Sequence, residues 1–125
     1  MQYVLHFKDL EVYKRARKLA GEIFLISCSF PKEEKYSLTD QIRRASRSIG
    51  GQVAEAWGKR NYPKHFISKL TDADGEQLET QHWVLVSIDS GYINLATANR
   101  LCDECEEIGK MLGGMMQKAN SFCRK

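Results

Sequence analysis

The stretch Leu38-Thr39-Asp40-Gln41-Ile42-Arg43-Arg44-Ala45-Ser46-Arg47-Ser48-Ile49-Gly50-Gly51-Gln52-Val53-Ala54-Glu55-Ala56 repeats its apolar residues three and four positions apart. Leu38, Ile42, Ala45, Ile49, Val53 and Ala56 therefore share one stripe of a helix, a pattern that a strand's alternate-residue period does not accommodate. Ser37 followed by Asp40 resembles a capping box, with Asp in place of the usual Glu. Upstream, Val12, Ala16, Leu19, Ile23 and Ile26 form a second stripe, with Asp9 placed as its N-cap and Pro31 just past its end. Downstream, Pro63 is a good first-turn residue for a third, running Phe66, Leu70, Ala73, Gln77, Gln81, Val84 and Ile88. A fourth follows Asn94, a plausible cap, through Leu101, Cys105, Ile108, Leu112, Met115, Ala119 and Phe122. The expected fold is all-α, with helices over residues 10–29, 38–58, 63–90 and 95–122 of one domain, residues 1–125. The short breaks between them favour antiparallel neighbours, hence an up-down-up-down four-helix bundle.

With 42% hydrophobic and 28% charged residues in a chain of 125, there is apolar matter enough for one core and too much for disorder. The longest apolar runs, Ile23–Ile26 and Trp83–Val86, fall far short of the roughly 20 residues a membrane helix needs. The opening residues lack a basic stretch followed by a long apolar one. A cytoplasmic location with no membrane partner is therefore expected, with the four cysteines as reduced thiols.

Charge is unevenly distributed. Residues 37–65 carry six Lys or Arg against two Asp or Glu, and residues 66–90 carry one against five. Such asymmetry suits either a polyanion partner or a charge-complementary contact between copies. At about 100° per residue, Arg43, Arg44 and Arg47 fall roughly opposite the second helix's apolar stripe, as one outward patch. Lys14, Arg17 and Lys18 point away from the first helix's core, and Lys59, Arg60 and Lys64 bracket the turn between helices two and three. Guanidinium groups make bidentate contacts to phosphate oxygens, so these eight residues other than Lys64 are the candidate nucleic-acid-binding set. A solvated face or a salt-bridge surface against another subunit accounts for the same pattern. On the third helix Asp72, Glu76 and Glu79 oppose the apolar stripe, while the stripe itself contains Asp74, Gln77 and Gln81, which need partners if buried. Asp72, Asp74, Glu76, Glu79 and Gln81 are the candidate subunit contacts. A basic face meeting an acidic face of the next copy is a heterologous contact, which can close into a ring.

Chemistry-bearing motifs are few. Cys102-Asp103-Glu104-Cys105 supplies half of a zinc site at most; Cys28 could approach Cys102 across an antiparallel bundle, but Cys123 is too distant to join. The pair reads better as a small apolar core residue, Cys105, with Cys102 flanking it. There is no phosphate-cradling glycine loop, HExxH or nucleophile elbow, so neither enzymatic activity nor a cofactor is expected. Gly50-Gly51 and Gly113-Gly114 lie inside helical patterns, where close helix–helix approach would offset their cost of about 1 kcal/mol each. Tyr3, Phe7, Tyr13, Tyr36, Trp57, Tyr62 and Trp83 include more aromatics than a small bundle core requires. Trp57, beside Gly58-Lys59-Arg60, could stack on an unpaired base or fill a bundle end.

Several of these stretches together resemble one family. Phe7-Lys8-Asp9-Leu10-Glu11-Val12-Tyr13-Lys14-Arg15-Ala16 is similar to the F-x-D-L-x-V-Y-x-x-A start of the 23S rRNA intervening-sequence proteins, also called S23 or four helix bundle proteins. Phe30-Pro31 with Glu34 and Tyr36, Asp40 through Ala45 with Ser48-Ile49, and Val53 through Trp57 with Lys59-Arg60 agree in the same order. Phe66 through Leu70, Glu76 with Glu79-Thr80-Gln81, and Gly91-Tyr92 continue it. The resemblance implies an antiparallel four-helix bundle, assembly into homopentamers with a basic central surface, and kinship with the accessory variability protein of diversity-generating retroelements, which works with a reverse transcriptase and its RNA. Gln41-Ile42-Arg43-Arg44 and Lys59-Arg60 are the basic-surface positions it carries over. The expected function is thus a non-enzymatic, pentameric RNA or DNA binder that contacts phosphates, and an accessory to structured RNA or a reverse transcriptase. The alternative is a scaffold whose charged faces serve only subunit contacts.

Overall fold

Residues 4–123 are described by a computed structural model in which every long element is a helix. Helix α1 spans Glu11–Ser27, α2 Leu38–Gly58, α3 Pro63–Asp89 and α4 Leu95–Gln117, followed by a short α5, Ala119–Phe122. Single 3-10 turns occupy Phe7–Asp9 and Lys32–Glu34, and there is no strand among the described residues. Each helix packs on its neighbour in the chain and α4 closes back on α1, with α1 opposite α3 and α2 opposite α4. This is the up-down-up-down four-helix bundle.

The stripes read from the sequence point inward. Ile49, Val53, Phe66, Leu70, Ala73, Val84, Cys105, Ile108 and Leu112 are all shut off from solvent. Burial of each large side chain contributes about 1.5–3 kcal/mol relative to exposure, against the chain entropy lost on folding. Contact is broadest between α2 and α3 and thinnest between α1 and α4. That last seam is laced with charge: Arg15 reaches Glu104 at 3.4 Å and Glu107 at 3.7 Å, and Arg100 pairs with Glu22.

The helix ends differ from expectation at three places. Leu10, not Asp9, is the N-cap of α1, because Asp9 is taken up in the preceding 3-10 turn. No capping box forms at α2. Ser37 instead donates to Glu34 Oε1 at 2.6 Å, and Asp40 is engaged by Arg44. Glu34 also accepts from the Leu38 amide at 3.4 Å and from the Tyr92 hydroxyl at 2.8 Å, so one carboxylate ties the start of α2 to the α3–α4 turn. Hydrogen bonds from Ser37 and Tyr92 hold its pKa below the ordinary carboxylate value. The fourth helix stops at Gln117, with a break at Lys118, where it was expected to run to Phe122. Asn94 does cap α4, its side chain accepting from the Thr97 amide at 2.8 Å.

Glycine placement is likewise corrected. A Cβ at Gly50 would meet the Tyr13 ring at 3.4 Å, an ordinary van der Waals contact that does not by itself require glycine. At Gly51, Gly113 and Gly114 the same atom meets nothing within 4 Å, and close packing does not explain them. The glycine that packing demands is Gly109, where a Cβ would lie 2.8 Å from Gln77 Nε2 and 3.2 Å from Asp74 Oδ1. Gln77 is buried and cannot swing away, because its amide donates to Asp74 at 2.9 Å while its carbonyl accepts from Gln81 at 2.8 Å. Gly113→Ala is therefore expected to raise stability by up to about 1 kcal/mol through helix propensity. Gly109→Ala should lower it despite the same propensity gain, and paired thermal melts check the opposite signs.

No helix among the described residues is long and apolar enough to cross a membrane.

Candidate nucleic-acid interface

The antiparallel register of α1 and α2 sets Tyr13 against Gly50 and Ser27 against Arg43. Between these two points the facing residues are small, and a shallow groove of about 240 Å³ opens over Ala16, Ala20, Gly50 and Gly51. Arg17 stands on one wall and Arg47 on the other. Both are exposed, and among the described residues neither has a carboxylate within salt-bridge distance. Each guanidinium lies near an aromatic ring: Arg17 is 6.0 Å from the centre of Tyr13, and Arg47 is 5.5 Å from that of Phe24. Lys8, Lys14 and Lys18 gather beside Arg17 and Tyr13 on the same flank. The groove can therefore receive an oxyanion between two forked donors with further cations around it.

Arg43 does not join that outward patch. It turns toward α1, where Nε donates to Ser27 Oγ at 2.8 Å and an NH2 donates to the Phe24 carbonyl at 3.4 Å. Its guanidinium also sits 4.6 Å from the Phe24 ring centre. The reason is position: Arg43 lies on the flank of α2 beside the last turn of α1, whose unpaired carbonyls attract a cation. Arg44 does point outward, with its charge shared by Asp40 at 2.9 Å. Lys59 is exposed as the C-cap of α2. Arg60 is half-buried, its Nε donating to the Trp57 carbonyl at 2.8 Å and its Cζ 3.5 Å from the Trp57 ring centre. The Trp57 face that the sequence offered to a base is thus covered by Arg60. Tyr3 lies outside the described residues, while Phe7 packs edge-on against Tyr13 and Trp83 is half-buried against the core.

On α3 the polar residues of the stripe find one another. Asp74, Gln77 and Gln81 form a hydrogen-bonded ladder against Gly109 of α4, so their burial needs no partner from another chain. Asp72 and Glu79 are exposed on the opposite flank, with Glu76 half-buried between them. Burial, followed by the charges of Glu79 and Asp72, raises the pKa of Glu76 against a lowering hydrogen bond from Ser48. The folded chain holds that proton more tightly than the unfolded one, so this group favours folding below its raised pKa and loses that contribution as pH rises through it. Glu76→Gln should accordingly raise the melting temperature at neutral pH, with the gain shrinking toward pH 4. A melting-temperature series across pH for both chains checks it.

The cysteines do not assemble a site. Among the described residues no three metal-ligating side chains cluster. Burial, with nearby acidic charge and Cys102, pushes the Cys105 thiol up to about 12, which keeps it protonated and inert. Cys28 is exposed at the end of α1, with its sulfur 3.7 Å from an Arg43 NH2.

Comparison with known proteins gives the family and no activity. No curated protein matches the chain. A crystal structure at 1.70 Å of a protein of unknown function from the S23 ribosomal protein family of Bacteroides thetaiotaomicron superposes with a TM-score of 0.76 at 27% identity. The match covers 85% of this chain and 95% of that one. The sequence profile of the 23S rRNA-intervening sequence proteins matches residues 8–114, most of the chain, and the protein described here belongs to that family.

Proposed function

We propose that the protein is a non-enzymatic, cytoplasmic homo-oligomer that binds the phosphates of structured RNA or DNA through the α1–α2 face, as an accessory to an RNA-processing or reverse-transcribing partner. The carrying observation is the groove between Arg17 and Arg47, where two guanidinium groups with no carboxylate partner among the described residues overlook a floor of alanine and glycine. Such a surface takes a phosphodiester backbone without reading bases. The family resemblance supports a pentamer. Self-association is also supported by the outward side of α3, where Ile67, Leu78 and Leu85 are exposed, a surface suited to a second copy of this chain.

A second reading keeps the assembly and drops the nucleic acid: the acidic residues of α3 would meet the basic α1–α2 face of the next copy. The raised pKa of Glu76 favours it, since a cation docked there would relieve the crowding of like charge. A salt titration separates the two. Phosphate binding makes log affinity for a labelled duplex fall linearly with log salt, with a slope of about 0.9 per phosphate contact. Subunit contacts through the same arginines instead make the oligomer itself fall apart as salt rises, read as mass by light scattering.

A further inference from the structure

The α2–α3 turn has a composition that the groove does not use. From Ala56 to Thr71 there is no Asp or Glu, while Lys59, Arg60, Lys64 and Lys69 fall in that stretch. Glu55 takes Lys69 at 3.0 Å; Lys59 and Lys64 are exposed at the turn itself. Two aromatic arrangements stand among these cations. Tyr62 is 60% exposed, and its ring centre lies 5.7 Å from that of His65, also exposed. On the other side of the turn Arg60 lies against Trp57 at 3.5 Å, next to Asn61.

The Tyr62 ring is presented from a fixed base. Pro63 keeps the residue before it out of the helical region, and Tyr62 has φ −130° and ψ 87°. Its amide donates to the Lys59 carbonyl at 2.9 Å, and its own carbonyl accepts from the Phe66 amide, also at 2.9 Å. A large ring held out to solvent by its backbone serves no core. A flat, anionic ligand suits it, because rings and guanidinium planes stack on unpaired bases while lysines take the intervening phosphates. An acidic peptide would answer the charge but not the flat faces. Position adds a further constraint. Because α1 and α2 are antiparallel, this end of α2 adjoins the start of α1, where Lys8, Lys14 and Arg17 begin the cationic flank of the groove.

We propose that the α2–α3 turn stacks an unpaired nucleotide on Tyr62, so that the ligand class is a nucleic acid with a single-stranded loop or end beside a paired stem. The proposal rests on the phosphate-binding reading of the α1–α2 face, which would hold the stem. The test is fluorescence anisotropy at low salt with a labelled RNA hairpin bearing an unpaired loop and with the same stem as a blunt duplex. The protein should bind the hairpin about tenfold more tightly. Tyr62→Ala should abolish that preference without changing duplex affinity, and Tyr62→Phe should retain it. Should Tyr62→Ala lose its helical signal, His65→Ala, at an exposed position in the first turn of α3, carries the same comparison.

Equal affinity for hairpin and duplex overturns the stacking site and leaves the groove standing, as does a preference that survives the alanine variants. Binding of neither RNA overturns both. An oligomer that changes mass on Tyr62→Ala while hairpin preference persists makes the turn a protein contact and overturns the proposal.

Discussion

Leu112→Ala should lower the stability of the bundle by about 2–5 kcal/mol. Leu112 is wholly inaccessible on the inward stripe of α4, among Leu101, Cys105 and Ile108 of the same helix and the cores of its neighbours. Truncation removes the transfer free energy of three carbons and leaves a cavity that rigid helices close only in part. A small domain has about 5–15 kcal/mol in all, so the urea midpoint should move by a large fraction of its value. Leu78→Ala is the contrast. Leu78 is 56% exposed on α3 and should shift the chain's intrinsic stability by no more than about 0.5 kcal/mol. A shift at Leu112 as small as that would mean that its stripe is not core.

The Arg17→Ala/Arg47→Ala double variant should lose about 30-fold in affinity for a labelled duplex, taking about 1 kcal/mol for each exposed charge-assisted contact. Its salt slope should fall by about 2, one for each phosphate contact removed. Among the described residues neither side chain makes a hydrogen bond or ion pair, and the loose ring contacts to Tyr13 and Phe24 are worth about 0.5–1 kcal/mol each at exposed positions. Helical signal should persist. Arg43→Ala supplies the control in the opposite sense. It removes the donor to Ser27 and the Phe24 carbonyl, so its melting temperature should drop while the salt slope stays near that of the parent chain. Unchanged affinity in the double variant would remove the groove from the ligand surface.

The fold was legible because burial is periodic in this chain. Leu38, Ile42, Ala45, Ile49, Val53 and Ala56 recur at helical spacing, and all six are buried in the bundle. Asn94 was legible as a cap for a similarly local reason, since an Asx side chain reaches a backbone amide three residues on. The candidate site was legible only as a composition. Helical angles set Arg43, Arg44 and Arg47 together, but an angle measured on one helix does not say where the next helix begins. Arg43 lies on the flank that α1 covers, and the chain end of α1 draws its guanidinium inward. The Asp74–Gln77–Gln81 ladder has the same cause. Three polar residues on an apolar stripe suggest an outside partner until the absent side chain of Gly109 is set beside them.

Helix type, helix order and the antiparallel bundle were determined by the sequence alone, because apolar spacing and short connections act within a few residues of one another. Tertiary structure decided which cations remain available. Arg17 comes from α1 and Arg47 from α2, thirty positions apart, and only the packing of the two helices over Gly50 places them across one groove. Pairing of that kind depends on the register between helices, a quantity that no single helix carries.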